Sequence, residues 1–323
     1  MPQPAIKLAV VMDPIGSIKP AKDTTLAMLL AAQARGWTLY YLELSDLYLR
    51  DGEARARARI LKVRDTTRDW FTYGEERDLR LGSMDVILMR KDPPFNMEYI
   101  YSTYLLERAE QAGALVINRP QALRDANEKA YTAWFPQCCP PTLMTHDMGR
   151  IRQFLAEQKK IVLKPLEGMG GALVFVIAEG DANFSVILET LTERGTKLTI
   201  AQKYLPEISA GDKRILLIDG EPVAYALARV PAPGESRGNL AAGGNGVGVP
   251  LTERDRWICG QVAPTFRDKG LLFVGLDVIG DYLTEINVTS PTCARELDKL
   301  YGLNIAEQFM AVIARKLSEK RLT

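Results

Sequence analysis

Apolar residues recur along the chain in two patterns, short unbroken runs and helically spaced stripes, and their alternation predicts the architecture. Residues 6–12 form a near-continuous apolar run of strand length, Thr24–Ala34 carries helical spacing that stops at Gly36, and residues 39–42 form a second run. This β-α-β opening predicts a parallel sheet covered by helices, and Val86–Met89, a helix over 98–112 and a strand over 115–118 continue it. Residues 50–80 are charged, with Arg55, Arg57 and Arg59 alternating with alanines, as in a solvated face or an exposed strand. The pattern changes at 119–129. There Asp125 or Asn127 can cap a helix running through Trp134 and Phe135, with Lys129 on its first turns, and the prolines from Pro136 to Pro141 break that helix.

Beyond this boundary the runs become hairpin-like. Residues 161–177 read as two strands around a glycine-rich turn, followed by a helix over 183–192 and a strand over 198–204. Asp219-Gly220 is a turn pair inside a hairpin over 211–229, and Gly280-Asp281 is another between strands 273–279 and 282–288. Residues 230–248 have many glycines and no period, which predicts a lid, because long structureless loops inside compact domains are uncommon. Helices are predicted over 252–269 and 304–320.

Composition narrows the class. A chain of 323 residues has room for two or three domains. With Lys+Arg 41 against Asp+Glu 40, no nucleic-acid or anionic-membrane footprint is present, and no apolar run or N-terminal segment predicts a membrane span or signal peptide. Cys138, Cys139, Cys259 and Cys293 form no C-x-x-C pair and are too sparse for a disulfide framework, so a cytoplasmic location is expected. With His146 the single histidine, and in a polar stretch, multi-histidine metal sites are excluded and the residue reads as a loop histidine.

The chemistry therefore rests on lysines, arginines and carboxylates. Glu285 and Asn287, two apart on one strand, share a face, and Asp277 can pair near them across the turn. Three oxygen donors without sulfur or imidazole suit a hard cation such as Mg²⁺, although a solvated acidic face would carry the same residues. Lys164 precedes the glycine turn at Gly168, Met169, Gly170 and Gly171, where free amide groups and a point charge could meet phosphate oxygens; a plain turn is the alternative. Arg214 and Arg229 would be brought together by strand pairing, so a shared anionic target is plausible. Asp13-Pro-Ile-Gly-Ser17 and Arg90-Lys-Asp-Pro-Pro-Phe95 lie at strand ends, where parallel sheets place ligand loops. The latter suits a carboxylate-bearing substrate or a plain turn.

Together these signals fit ATP with Mg²⁺, the arrangement of the ATP-grasp fold. The stretches Asp85-Val-Ile-Leu-Met-Arg-Lys-Asp-Pro-Pro-Phe95, Leu163-Lys-Pro-Leu-Glu-Gly-Met-Gly-Gly171, Arg237-Gly-Asn-Leu-Ala-Ala-Gly-Gly244 and Thr284-Glu-Ile-Asn-Val-Thr-Ser-Pro-Thr292 resemble the bacterial glutathione synthetases, along essentially the whole chain. The resemblance implies an α/β (α+β) chain: an N-terminal parallel-sheet substrate domain over 1–123, a central ATP-grasp lid subdomain over 124–200, and a C-terminal antiparallel-sheet subdomain over 201–323 with a mobile loop at 230–248. It implies ligation of γ-glutamylcysteine and glycine to glutathione, with ATP giving ADP and phosphate through an acyl phosphate. By the same analogy Lys129, Lys164 and Gly168 to Gly171 bind ATP, Gln202, Lys203, Tyr204 and Leu205 meet adenine, and Asp277, Glu285 and Asn287 hold Mg²⁺, with Mn²⁺ a possible substitute. Arg214 and Arg229 become catalytic, Arg237, Gly238, Asn239, Ser290, Pro291 and Thr292 contact substrate, and the family's tetramers imply a homotetramer. Residues 15–22 depart somewhat from the family pattern.

Overall fold

The computed structural model describes residues 5–168, 171–232, 234, 238 and 244–322. Three sheets follow one another along the chain. The first is built from β1 (Lys7–Val11), β2 (Thr38–Leu42), β3 (Leu47–Arg50), β4 (Glu53–Val63), β5 (Phe71–Arg80), β6 (Val86–Met89) and β7 (Leu115–Ile117). Its order is β3-β4-β2-β1-β6-β7, with β5 also paired to β4. β2, β1, β6 and β7 are parallel, as the apolar runs predict, because buried parallel strands need no polar face. The charged stretch 50–80 is the antiparallel extension β4–β5, in which Ala54, Ala56 and Ala58 are buried while the intervening arginines point outward.

Helix α1 (Thr24–Ala34) begins at Asp23, whose Oδ1 accepts from Leu26 N (2.6 Å), and α2 (Met97–Gln111) begins at Asn96, whose Oδ1 accepts from Tyr99 N (3.0 Å). The short α3 (Pro120–Asp125) ends the first third. The helix expected through Trp134 and Phe135 is instead a 3₁₀ turn, Ala130–Trp134, followed by another at Pro136–Cys138. Pro136 cannot extend the first, and Asn127 Oδ1 takes the N–H groups of Lys129 (3.1 Å) and Ala130 (2.9 Å), which closes a tight turn.

The middle sheet is antiparallel, ordered β10-β9-β11-β8, from β8 (Thr142–Thr145), β9 (Lys160–Pro165), β10 (Phe175–Ala178) and β11 (Thr199–Lys203). It has its own core, in which Ile151 and Leu155 of α4 (Met148–Gln158) and Phe184, Leu188 and Leu191 of α5 (Phe184–Leu191) cover Ile161, Leu163 and Ile177. Sequence patterning missed α4, whose stripe is short and interrupted by polar residues.

The third sheet runs β15-β14-β12-β16-β17, with β13 (Glu221–Pro222) on β12. It contains β12 (Asp212–Ile218), β14 (Tyr225–Val230), β15 (Asn245–Pro250), β16 (Phe273–Ile279) and β17 (Tyr282–Asn287). β15 corrects the loop expected over 230–248: residues 245–248 are strand. Two glycines hide the alternation, and Gly248 must be bare because a Cβ there would overlap the Tyr301 ring, itself stacked on Tyr225 at 3.7 Å. Helix α6 (Glu253–Lys269) starts in a capping box of Thr252 and Asp255. Helix α7 (Ala294–Tyr301), also unforeseen, and α8 (Ile305–Leu322) complete the chain, and α8 returns to pack on α1, where Arg35 pairs with Glu307. The buried residues of the first and third sheets form continuous cores, so the hairpin β16–β17 stands on the N-terminal sheet. Among the described residues no helix is long and apolar enough to cross a membrane.

Candidate active site

The site lies between the middle and third sheets, in a cavity of about 340 Å³. Its apolar lining includes Val162, Val174, Val176, Leu205 and Ile208. Its charged lining includes Lys129, Lys164, Arg214, Arg229, Glu128 and Glu285. An apolar slot lined together with buried cations suits a nucleotide. At the slot, β11 leads into Gln202, Lys203, Tyr204 and Leu205; Gln202 Nε2 donates to Thr142 Oγ1 (3.0 Å), and Lys160 Nζ lies 3.9 Å from the centre of the Tyr204 ring.

Both lysines are buried. Lys164, on β9 opposite Ile200, directs Nζ to Thr284 O (3.4 Å), and burial lowers its pKa. Lys129 Nζ donates to Gly168 O (3.0 Å), pairs with the Glu128 carboxylate and stands 3.9 Å from Glu285. Burial works against its charge, but Glu285 and Glu128 raise its pKa. Gly168 and Gly171 both have positive φ, +108° and +79°, which a side chain would strain. Met169 and Gly170 lie outside the described residues, as do Arg237 and Asn239 of the expected substrate contacts. Gly238 lines the cavity, its backbone so close to Arg229 that a Cβ would overlap the Arg229 carbonyl.

Pairing of β12 with β16 sets Arg214 opposite Asp277, and pairing of β16 with β17 sets Asp277 opposite Glu285 and Gly275 opposite Asn287. The expected carboxylate–amide face therefore exists, and the arginines reach it. Arg214 holds Asp277 with two bonds, Nε to Oδ1 (2.5 Å) and Nη2 to Oδ2 (2.9 Å), while Arg229 Nη2 reaches Asp277 Oδ2 (2.9 Å) and also pairs with Asp212. Burial alone would raise the Asp277 carboxyl; Arg214 and Arg229 instead hold it well below the usual carboxylate range. The arginines expected to share an external anion thus share an internal one.

Glu285 and Asn287 fit a hard cation. The Glu285 side chain is 24 % exposed, and Asn287 Nδ2 donates to Gly275 O (3.4 Å), so its oxygen is the atom that could serve as a donor to a cation. Asp277 could join them only by sharing its oxygens with two guanidinium groups. Among the described residues no cluster of three or more His, Cys, Asp or Glu side chains has metal-binding geometry, so an amide oxygen, water or phosphate would complete the shell.

Two residues of this site escaped sequence reasoning. Glu128 points into the cavity beside Lys129; burial and the neighbouring Glu285 push its carboxyl up to about 6 against the pull of Lys129. Asp212 accepts from Arg229, yet its buried Oδ1 has no partner among the described residues, and burial outweighs Arg229 to push its carboxyl up to about 7, with Asp277 and Glu285 adding to the rise. Asp212 is one strand step from Arg214 on the same face, a signal that spacing alone could have offered. His146 is exposed on a bend away from the site, Cys138 and Cys139 do not line it, and Cys293 does.

Comparison with known proteins agrees with this geometry. Residues 6–124 match the family model of the prokaryotic glutathione synthetase N-terminal domain, and residues 128–302 that of the prokaryotic glutathione synthetase ATP-grasp domain. The chain is 62% identical to a glutathione synthetase of Pseudomonas putida over 98% of this chain and 100% of that protein. It is 55% identical to that of Escherichia coli K12, again over 98% and 100%. Among solved structures, the D-cycloserine synthetase DcsG superposes with a TM-score of 0.68 at 16% identity, covering 96% of this chain and 99% of that one. The ATP-grasp ligase PsnB with a minimal precursor gives 0.64 at 16% identity over 96% and 99%. These two likenesses speak for the fold.

Proposed function

The chain belongs to the prokaryotic glutathione synthetase family, and from that premise we propose that it joins γ-glutamylcysteine to glycine, giving glutathione, with ATP converted to ADP and phosphate. The observation that carries the proposal is the convergence, in one cavity, of two buried lysines, two buried arginines and the Glu285–Asn287 pair beside an apolar slot.

The chemistry follows from these groups. A carboxylate resists attack by an amine, so the cysteinyl carboxylate first takes the γ-phosphoryl group of ATP and becomes an acyl phosphate. The amine of glycine then adds to the acyl carbon, and phosphate leaves with its bonding electrons. Lys129 and Lys164 would hold the nucleotide phosphates in line, Gly168 and Gly171 would present backbone N–H groups, and Val162, Leu205 and their neighbours would take the base. Arg214 and Arg229 would meet phosphoryl oxygens and the tetrahedral oxyanion, where preorganised charge in a water-poor site acts most strongly. Ser290, Pro291 and Thr292, which line the same cavity, would contact the dipeptide. Mg²⁺, or Mn²⁺ in its place, held by Glu285 and Asn287 with Asp277, would neutralise phosphate charge. Because an acyl phosphate hydrolyses in water, the segment around Gly238 would close the site during transfer. We further propose a homotetramer located in the cytoplasm.

The direct test supplies purified protein with ATP and either γ-glutamylcysteine plus glycine or D-alanine. Phosphate release with the first pair, matched by glutathione formation, is expected; release with D-alanine alone would overturn the assignment.

A further inference from the structure

Arg90 is a buried cation held by neutral groups. It stands just past β6, where its N–H donates to Val11 O (2.7 Å). Its side chain is 5 % exposed and enters no ion pair with a described residue. Its fork is divided between two neutral acceptors. Nε donates to Thr25 Oγ1 (3.1 Å) on the first turn of α1, and Nη2 donates to Pro291 O (2.9 Å), while the guanidinium carbon lies 5.5 Å from the centre of the Phe273 ring. Burial works against its charge, with Asp92 and Asp23 favouring it from beyond ion-pair distance. An apolar side chain would fill this space without the desolvation cost. What the arginine supplies is a planar fork that fixes two points at once.

One of those points needs fixing. Residues 289–292 leave β17 and line the cavity, yet they take part in no backbone–backbone hydrogen bond with described residues. The strand before them is braced at its base by Asn118 from the end of β7, which donates to Phe273 O (2.8 Å) and Val288 O (2.6 Å). Past Val288 that bracing stops, and the Arg90 contact is what holds a carbonyl of the turn. Nearby, Thr24 Oγ1 accepts from Ala294 N (3.3 Å), so α1 also touches the far side of the turn.

We propose that Arg90 is a positioning residue: from the N-terminal sheet it sets the carbonyl of Pro291, and with it the turn that presents Ser290 and Thr292 to the dipeptide. This rests on the reading that the turn contacts γ-glutamylcysteine. The Arg90 fork bonds Thr25 and Pro291, whereas Lys129 stands before Ala130 and Lys164 on β9, so the consequence falls first on the dipeptide.

The test compares steady-state kinetics of Arg90→Lys, Thr25→Val, Ser290→Ala and Thr292→Val in the full chain, each substrate varied in turn. Arg90→Lys keeps the charge and loses the two-point fork. It should raise KM for γ-glutamylcysteine by about tenfold or more, as misplacement of a positioning group does, and leave KM for ATP within about twofold. Thr25→Val, which removes one anchor and keeps the arginine, should move the same constant in the same direction by less, and it stands as the test if Arg90→Lys fails to fold. An equal rise in both KM values would mark general loosening and overturn the proposal. If Ser290→Ala and Thr292→Val leave the dipeptide KM unchanged, the substrate role of the turn falls and the proposal with it; if they raise it while both Arg90→Lys and Thr25→Val do not, only the role of Arg90 falls.

Discussion

Asp277 and Glu285 face each other across the β16–β17 hairpin, yet their surroundings assign them different physical tasks. Asp277 neutralises Arg214 and Arg229 in a buried network, whereas Glu285 keeps an open edge to the cavity. Removing Asp277 leaves two guanidinium groups buried without their shared anion, so Asp277→Ala should lower stability by about 3–5 kcal/mol in denaturant unfolding. Glu285→Ala should abolish turnover while the unfolding midpoint stays nearly unchanged, and near-normal turnover would remove Glu285 from the metal shell. Asp212 gives a pH signature. Its carboxyl is pushed from 3.8 to about 7, so the folded chain holds this proton more tightly than the unfolded chain does. The stability it contributes is complete below about pH 4 and is lost as pH rises through 7. Asp212→Asn lacks that dependence. Thermal melts should therefore show the variant gaining on the unsubstituted protein by at least about 1 kcal/mol between pH 4 and 7, and parallel curves would refute the assignment.

Among the elements, the tightest approach of any described glycine belongs to Gly238, between β14 and β15. Gly238 sits so close to the Arg229 carbonyl that any side chain must displace one or the other. Gly238→Ala should lower kcat by about tenfold or more, through the geometry of Arg229, while the fold is kept. Proteolytic clipping of the same segment should uncouple ATP consumption from peptide formation, since water would then reach the acyl phosphate. Coupling that survives cleavage would count against water exclusion. The elements themselves were unequally legible. Long apolar runs such as β1 and β6, and turn pairs such as Asp219-Gly220 and Gly280-Asp281, announce themselves because burial on both faces and positive φ each demand particular residue types. β15 did not, because a strand that must lie flat against Tyr301 replaces the alternating side chains with glycine. The expected helix after Asn127 became a 3₁₀ turn because a side-chain acceptor and a following proline outweighed its apolar spacing.

Across the whole molecule, the return of α8 onto α1 and the continuous cores shared by the first and third sheets make the N-terminal sheet a foundation for the β16–β17 hairpin. The proposed homotetramer should appear in sedimentation at about four times the 35.9 kDa of one chain, and a monomer at working concentration would end that expectation. Residue spacing carries the parallel opening sheet, the hairpin turns, the lysine ahead of the glycine turn and the placement of Glu285 and Asn287 on one face, because periods of two and of 3.6 residues and short glycine motifs are local properties; α4, α7 and β15 have no such mark. Chain packing sets how charge is partitioned: Arg214 and Arg229 against Asp277, Glu128 against Lys129, Asp212 with one oxygen unpaired among the described residues, and Arg90 reaching across 201 positions to Pro291. Those pairings depend on which strands lie side by side and on how much water the packed sheets leave, and neither is written in the spacing of any one segment.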